Sequence, residues 1–425
     1  MNGGSRLAAY LALNDIERDG AYSNLALNGA VRGLDPRDRA LAREICYGVL
    51  KRKYLLDHFL SGFVPKGFNK LDISVLTILR MGAYEILFMD GVPDYASINE
   101  AVELSKRFAK GRGGFVNAVL RNLSGNKCEL HVAAGEDVLN RLSLVYSAEP
   151  WIVELLTEAY GPEGAEDYLK YSLETPELCI RVNLLKNSPE ELKKILEDQG
   201  SEVGYSQLSP RGLRVRGTGI LETEAFREGR FSVQDEASLT ACDMAEAKPG
   251  MKVLDLCAAP GGKSCACAEA MENRGKVIAQ DIYEHKLAII ESYAGRNGID
   301  IIETRQGDSS RAVPEYEGQF DLVICDVPCT GLGVMRRKPE IKYKERPDLK
   351  ALNHLQSGIL RRGASYVAKG GALMYSTCTV TREENEDMVS GFLGEFPGFE
   401  KEKEARFGPD TGTDGFFAAI FRRID

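Results

Sequence analysis

The chain has 425 residues, which suffices for about two to three domains, each with its own hydrophobic core. Hydrophobic residues account for 44% and charged residues for 28% of the sequence, which excludes a disordered or fibrous chain. The net charge is −9, yet residues 1–145 carry +3 and the remaining residues −12. This balance disfavours indiscriminate binding of polyanions but leaves a local basic face for nucleic acid open.

Neither a membrane span nor a metal centre is expected from this sequence. No stretch reaches the roughly 18 consecutive apolar residues of a membrane helix, and the apolar run Leu7–Leu13 ends at Asn14 and Asp15 without a cleavage site. The 10 cysteines contain no C-x-x-C pair and the 4 histidines are far apart, which disfavours a metal site or a Ser-His-Asp hydrolase. We therefore expect a cytoplasmic protein with reduced thiols.

Up to about residue 125 the apolar pattern has helical periodicity. Asp35 and Pro36 form an N-cap followed by proline at the first helical position, and Leu41, Ile45 and Val49 recur every four residues behind them. The pattern predicts a compact helical bundle.

Further along this segment, Ser97–Glu100 resembles a capping box that opens another helix. The basic, glycine-rich break at 106–114 separates it from a helix over Phe115–Leu123. A polar linker from about 125 to 150 follows. We assign residues 1–145 to an all-α domain with its linker.

Two α/β segments complete the predicted fold. Residues 146–230 mix a helix, Pro189–Gln199, with strands at Cys179–Asn183 and Leu213–Val215, which indicates a small α/β module. From 231 to 425, strands alternate with helix-length segments, which is typical of a doubly wound, Rossmann-like α/β domain. The predicted strands of this domain are Val253–Leu256, Lys276–Asp281, Ile301–Gly307, Asp321–Cys325, Gly371–Tyr375 and Phe416–Phe421.

A glycine-containing loop follows the first strand of the Rossmann-like domain. Ligands of an open α/β sheet bind beyond the carboxyl ends of the strands, so this loop is the first candidate site. The loop consists of Cys257, Ala258, Ala259, Pro260, Gly261, Gly262 and Lys263. A Walker A loop would need a glycine at the position of Cys257, and G-x-G-x-x-G spacing does not fit either. The small residues let backbone N–H groups approach a ligand, although a tight turn without a ligand is the alternative for the loop alone.

Two aspartates follow the next strands. Asp281 lies 19 residues after Gly262, where a carboxylate accepts from both ribose hydroxyls of an adenosine cofactor. Asp308 follows the third strand and is placed to accept from the adenine amino group. One aspartate at a strand end is usually a cap, but two beside a glycine loop favour an adenosine-containing ligand.

A carboxylate and two thiols follow the fourth and fifth strands. Asp326 ends the fourth strand, with Cys329 three residues later, and Cys378 follows the fifth. A buried cysteine is usually a small packing residue, but its position at a strand tip beside a cofactor cleft favours function. A free thiol is only a few per cent thiolate at neutral pH, so we expect a nearby cation such as Lys263 to lower the thiol pKa.

At these residues the sequence resembles the bacterial 16S rRNA cytosine-C5 methyltransferases, S-adenosylmethionine-dependent enzymes with a NusB-like N-terminal domain. The resemblance covers nearly the whole chain. Its motifs are Cys257–Lys263, Asp326–Gly331, Arg336–Pro339 and Ser376–Thr379, with Ala96–Leu104 and Phe115–Arg121 in the N-terminal part. It implies S-adenosylmethionine as cofactor and 16S rRNA or a small-subunit assembly intermediate as partner, and we expect a monomer.

The resemblance also implies a role for each site residue. Cys378 would bond to carbon 6 of cytosine, Cys329 would help to remove the proton from carbon 5, and Asp326 would hydrogen-bond the base. The cofactor would be held by the loop 257–263 with Asp281, Asp308 and Asp326. The DNA enzymes use the Pro-Cys cysteine as nucleophile, so the presence of Cys378 favours RNA.

Two other functions stay open. The same chemistry could act on a tRNA, since the surfaces that select the RNA are not resolved by sequence. Alternatively, the chain could be a non-catalytic RNA-binding assembly or antitermination factor, although such a factor has no need of the pair Cys329 and Cys378.

Overall fold

The structure is a computed structural model that describes residues 4–64, 67–132, 137–217 and 219–425. These described residues divide into two compact units. The first comprises Met1–Glu174 with Met335–Arg346, and the second Thr175–Val334 with Pro347–Asp425. Within the described ranges, no helix has both the length and the apolar character that crossing a lipid bilayer requires.

The first unit is helical, and its core is built from apolar side chains on successive turns. Its helices are α1 Gly4–Asp19, α2 Ser23–Ala30, α3 Pro36–Lys51, α4 Lys53–Ser61, α5 Ile73–Phe88, α6 Asp94–Phe108, α7 Gly113–Gly125, α8 Val138–Tyr146 and α9 Pro150–Tyr171. The predicted start of α3 is confirmed, because the Asp35 side chain accepts from the Asp38 N–H and Pro36 is the first helical residue. Ile45 and Val49 are buried in the core as their spacing predicts.

Two details of the helical segment differ from the sequence-based expectation. The capping box at Ser97 is wrong: α6 already begins at Asp94, and Ser97 Oγ donates to Glu85 Oε2 at 3.0 Å inside the helix. The predicted linker contains α8, because Leu142 and Ser143 are buried in spite of the polar sequence around them. Residues 133–136 of that linker lie outside the described residues.

Residues 335–346 belong to the helical unit although they lie far along the chain. Lys342 is fully buried, and its Nζ donates to the Tyr146 carbonyl at 3.1 Å. Glu149 N–H donates to the Lys342 carbonyl at 2.8 Å, and Trp151 Nε1 donates to the Lys344 carbonyl at 3.0 Å. The segment thus supplies backbone and side-chain partners to α8 and α9.

The second unit begins with a small antiparallel sheet and its helices. Its elements are β1 Leu178–Val182, α10 Pro189–Asp198, β2 Glu202–Tyr205, β3 Gly212–Arg216, α11 Glu224–Arg227 and β4 Phe231–Val233. In the described residues this sheet has the strand order β2-β3-β1-β4. The predicted β1, β3 and α10 are present, whereas β2 and β4 were missed because three or four residues show too little alternation to predict a strand.

The larger sheet of the second unit carries the Rossmann-like fold. Its elements are α12 Glu236–Met244, β5 Lys252–Asp255, α13 Gly262–Ala270, β6 Lys276–Asp281, α14 Glu284–Asn297, β7 Ile302–Gln306, β8 Phe320–Asp326, α15 Leu349–Tyr366, β9 Val367–Thr377, α16 Glu386–Glu395, β10 Phe399–Phe407 and β11 Phe416–Arg423. The described residues give the order β10-β11-β9-β8-β5-β6-β7. Strands β5 to β9 run parallel, and β10 and β11 pair antiparallel.

This strand order confirms the predicted fold class and places the site. Strands β6 and β7 lie on one side of β5, and β8 and β9 lie on the other, so the strand order reverses between β5 and β8. At such a switch point a crevice opens at the carboxyl ends of the strands. Strand β10 was missed because it is an edge strand with mainly exposed charged side chains, a composition that protects sheet edges and hides the strand pattern.

Candidate active site

The two predicted cysteines meet at the carboxyl edge of the larger sheet. Cys329 lies in the loop after β8 and Cys378 directly after β9, and their sulfur atoms are 3.3 Å apart. Both side chains are partly buried free thiols. Parallel pairing of β8 with β9 brings the two loops together, and the Gly333 N–H donates to the Cys378 carbonyl at 3.0 Å. A side chain at Gly333 would collide with the Gly415 carbonyl, so glycine is required for this close approach.

Asp326 is held from both sides beside the thiols. Lys263 Nζ lies 2.6 Å from Asp326 Oδ2, and Ser376 Oγ donates to Asp326 Oδ1 at 2.7 Å. Burial is the largest single influence on Lys263 and would lower its pKa, but the charge and hydrogen bond of Asp326 together with the charges of Cys242 and Asp255 outweigh it, and the pKa is raised. The pair is therefore an ammonium and a carboxylate, and it fixes the orientation of the Asp326 carboxylate at the strand end.

The charge state of Cys329 differs from the expectation that a cation would activate a thiol. Its hydrogen bond with Cys378 and its burial raise the pKa of Cys329 well above the ordinary range, and the charge of Glu384 adds to the shift. The Lys263 ammonium instead pairs with Asp326 at 2.6 Å. With its raised pKa, Cys329 is a neutral thiol.

The loop after β5 forms the second half of the site. Gly261 has φ 103°, and a Cβ atom there would lie 3.2 Å from the Ile290 side chain, so the loop cannot hold a larger residue without strain. The Ala259 N–H donates to Asp281 Oδ2 at 3.3 Å, which joins this loop to the end of β6. Helix α13 begins at Gly262, where its free N–H groups favour polar ligands.

The two aspartates after β6 and β7 lie on this same edge but differ in their partners. Asp281 also accepts from the Tyr283 N–H at 3.1 Å, beside exposed apolar side chains of Ile282 and Tyr283. Asp308 is occupied locally: Ser310 N–H and Oγ donate to its Oδ1 at 3.0 and 2.7 Å. These hydrogen bonds are the main cause of its lowered pKa.

Two buried groups under the loop complete the arrangement. Asp255 is 1% exposed, and burial raises its pKa to about 6. Its Oδ2 accepts from Ser264 Oγ at 2.7 Å, while Oδ1 has no hydrogen-bond partner among the described residues. Burial also raises the pKa of Cys257 well above its usual value, so that thiol is neutral.

The sequence-based analysis did not single out three side chains that shape the site. Ser376 stands inside the Ser-Thr-Cys motif but was not assigned, and only its position two residues before Cys378 could have indicated it. Gln356 and Glu384 contact the cysteine loops, yet they lie in sequences typical of a helix surface and a charged helix start. Within the described part of the chain, no group of three or more His, Cys, Asp or Glu side chains is arranged to hold a metal ion.

Three family models match consecutive parts of the chain. The model described as NusB family matches residues 4–125, a ferredoxin-like domain of RsmF/B-like methyltransferases matches 149–220, and 16S rRNA methyltransferase RsmB/F matches 243–422. The chain is 38% identical to the "Probable ribosomal RNA small subunit methyltransferase B" of Bacillus subtilis, over 97% of both chains. The chain belongs to the 16S rRNA methyltransferase RsmB/F family.

A second relative and a solved structure extend this similarity. The ribosomal RNA small subunit methyltransferase B of Pseudomonas putida is 31% identical over 92% of this chain and 89% of its own length. The crystal structure of PH0851 superimposes with a TM-score of 0.86 at 28% identity, covering 100% of this chain and 99% of that one. The resemblance inferred from the motifs is therefore confirmed, including the NusB-like helical domain and the S-adenosylmethionine-dependent methyltransferase class.

Proposed function

We propose that this member of the RsmB/F family transfers a methyl group from S-adenosylmethionine to carbon 5 of a cytosine in 16S rRNA through a covalent bond between Cys378 and carbon 6. The observation that carries the proposal is the 3.3 Å separation of the Cys329 and Cys378 sulfurs beside Asp326. An RNA-binding factor without catalysis would have no use for two adjacent thiols and an oriented carboxylate. The names of the relatives favour the small ribosomal subunit as the source of the RNA.

The glycine loop fits S-adenosylmethionine in three respects. Gly262 has open space where a Cβ atom would lie, Asp281 offers carboxylate oxygens at a strand end, and exposed Ile282 and Tyr283 offer apolar surface beside it. We assign the loop 257–263, Asp281, Asp308 and Asp326 to cofactor binding. When bound, the cofactor supplies an electrophilic methyl group on sulfur.

The chemistry requires a nucleophile because carbon 5 of cytosine is too electron-poor to react with that methyl group directly. Addition of the Cys378 sulfur to carbon 6 forms a C–S bond and shifts electron density to carbon 5. Asp326, fixed by Lys263 and Ser376, hydrogen-bonds the base and stabilises the adduct. After methylation, Cys329 acts as a thiolate, its own proton having passed to solvent, and takes the proton from carbon 5. The electrons of that C–H bond re-form the double bond between carbons 5 and 6, and the C–S bond breaks to release the product and the Cys378 thiolate.

Substitutions of the two cysteines are predicted to block different steps of the reaction, and this difference tests the proposal. We expect Cys378→Ala to abolish both methylation and the adduct, since no C–S bond can form. Cys329→Ala still allows Cys378 to attack, so a protein–RNA adduct should accumulate as a denaturant-resistant band on a gel. Cys128→Ala, which removes an exposed cysteine of the helical unit, should behave like the wild type. The base has to leave its stack to reach the thiol, so an RNA with the cytosine in a loop is the suitable substrate.

Each contrary outcome has a definite meaning. An adduct that accumulates with Cys378→Ala and vanishes with Cys329→Ala would reverse the two roles. Bisulfite sequencing of rRNA and tRNA from cells with and without the gene identifies the methylated cytosine. If methylation is lost only at a tRNA cytosine, a tRNA replaces the rRNA as the assigned substrate. If no cytosine loses its methylation and no adduct forms, the result favours the non-catalytic assembly factor.

A further inference from the structure

A fully buried carboxylate lies behind the two cysteine loops. Glu384 is 0% exposed and precedes helix α16. Its Oε1 accepts from the Thr330 N–H and from Gln356 Nε2, both at 2.9 Å. Its Oε2 accepts from Thr330 Oγ1 at 2.6 Å and from Thr381 Oγ1 at 2.8 Å. Four hydrogen-bonding groups therefore converge on the two oxygens and hold the carboxylate in one orientation.

The donors come from segments that carry the thiols. Thr330 directly follows Cys329, and Thr379 directly follows Cys378. The oxygens of Thr330 and Thr379 are 2.5 Å apart. Because the Thr330 hydroxyl hydrogen points to Glu384, Thr379 is the donor of this bond. A continuous chain of hydrogen bonds therefore runs from the Cys378 loop through the Cys329 loop to Glu384.

Helix α15 contributes one side chain, Gln356, to this hydrogen-bond network. Gln356 is fully buried and donates one N–H to Glu384 and the other to the Pro328 carbonyl at 2.9 Å. Pro328 and Thr330, the two neighbours of Cys329 in the chain, are thus both hydrogen-bonded to the pair formed by Gln356 and Glu384. Gln356 Oε1 has no hydrogen-bond partner among the described residues, so Gln356 holds the loop and Glu384 through its two N–H groups alone.

The charge of Glu384 also acts on the thiols themselves. After the hydrogen bond with Cys378 and burial, it is among the causes that raise the pKa of Cys329. A negative charge behind Cys329 favours the protonated form of that sulfur.

We propose that Glu384 is a positioning residue: through Thr330 and Thr379 it fixes the spacing of Cys329 and Cys378, and its charge acts on Cys329 from behind the loop. This inference rests on the proposed function, because it assigns Cys378 as the nucleophile. Glu384 itself is buried behind the loops, so it acts through the cysteines rather than on the RNA.

The test compares Glu384→Gln with Glu383→Gln. Glu384→Gln keeps the shape of the side chain and removes its charge. It also leaves a single acceptor oxygen for the four groups that now share two. Glu383 is the exposed neighbouring glutamate and serves as the matched control. For each variant, iodoacetamide alkylation of Cys329 and Cys378 is followed by peptide mass spectrometry, and single-turnover methylation of the RNA is measured. Calorimetry with S-adenosylmethionine confirms that the variant is folded.

We expect Glu384→Gln to increase the alkylation rate of Cys329 relative to Cys378 and to slow single turnover by about 100-fold, the loss that a small misplacement of reacting groups produces. Glu384→Asp, which restores the charge on a shorter side chain, should recover the alkylation ratio. Glu383→Gln should match the wild type in both measurements. A folded Glu384→Gln variant with wild-type alkylation and rate would overturn the proposal.

The alkylation measurement keeps this inference separate from the proposed function. If the wild type methylates no cytosine but Glu384→Gln still changes the Cys329 alkylation rate, the proposed function fails while the effect of Glu384 on the thiol stands. Should Glu384→Gln not fold, Thr379→Val removes the bridging hydroxyl with little change of shape. A wild-type single-turnover rate in that variant would contradict the positioning role.

Discussion

Cys329 and Cys378 have identical side chains, and the groups around each residue distinguish them. The hydrogen bond to Cys378 is the largest contribution to the raised pKa of Cys329, followed by burial. In the proposed reaction Cys378 becomes bonded to carbon 6, so this hydrogen bond is lost. Without it the pKa of Cys329 falls, so the thiolate that takes the proton from carbon 5 forms more easily.

The cofactor assignment at the residue scale is tested by Asp281→Ala. Loss of a carboxylate that accepts from two ribose hydroxyls should weaken S-adenosylmethionine binding by roughly 1.5–3 kcal/mol, or about tenfold or more in affinity. Isothermal titration calorimetry measures this change. Asp300→Ala is the control, because this exposed aspartate precedes β7 and lies at the opposite end of the strand from Asp308. Unchanged affinity in a folded Asp281→Ala variant would refute the assignment.

At the scale of elements, the last turn of α6 and the turn that follows it present an exposed basic surface. Its cations are Lys106, Arg107, Lys110 and Arg112. Lys106 pairs with exposed Glu103 at 2.5 Å, and the Arg107 guanidinium lies 5.0 Å from the Phe108 ring centroid. Such exposed contacts contribute little to stability, so the cations are available to phosphates.

We predict that replacing these four cations by glutamine lowers RNA affinity and flattens its salt dependence. The slope of log affinity against log salt should fall by about 0.7–0.9 for each phosphate contact that is lost. Filter binding across a salt series gives this slope, and S-adenosylmethionine binding should be unaffected. Glutamine substitutions at Lys248, Arg274, Lys276 and Lys401 remove the same charge from the second unit. An equal effect of both sets would indicate general electrostatics instead of a site at the turn.

At the scale of the whole molecule, the chain leaves the second unit shortly after Cys329, enters the helical unit and returns. The second unit contains Cys329 and ends its first part at Val334, and residues 335–346 then belong to the helical unit. The Tyr343 hydroxyl donates to the Leu50 carbonyl, which ties this segment to α3 as well as to α8 and α9. The cysteine loop is therefore covalently continuous with a segment whose stability depends on the helical unit.

Hydrogen exchange should show that residues 335–346 unfold with the helical unit. Leu120→Ala creates a cavity in the helical core and costs about 2–5 kcal/mol. We expect it to raise the exchange of 335–346 together with that of α3 and α8. Leu373→Ala, an equally buried position in β9, should leave the exchange of this segment unchanged. Increased exchange of 335–346 only with Leu373→Ala would show that the segment follows the methyltransferase sheet.

The sequence determined those features whose causes lie within a few residues. Asp35 caps its own helix, Gly261 permits its own left-handed backbone, and Asp281, Asp326 and Cys378 end strands whose apolar pattern is local. A short stretch of sequence was sufficient to predict each of these features, because the backbone and side chain involved belong to the same turn or strand.

Only the tertiary structure decided the features that join distant segments. The 3.3 Å contact between Cys329 and Cys378 spans 49 positions, and Glu384 gathers donors from the β8 loop, α15 and its own turn. Lys342 is buried against the helical unit although its sequence is typical of an exposed basic loop. Neither spacing nor composition encodes such contacts, because sheet pairing and packing between segments set their distances and thereby the charge state of each buried group.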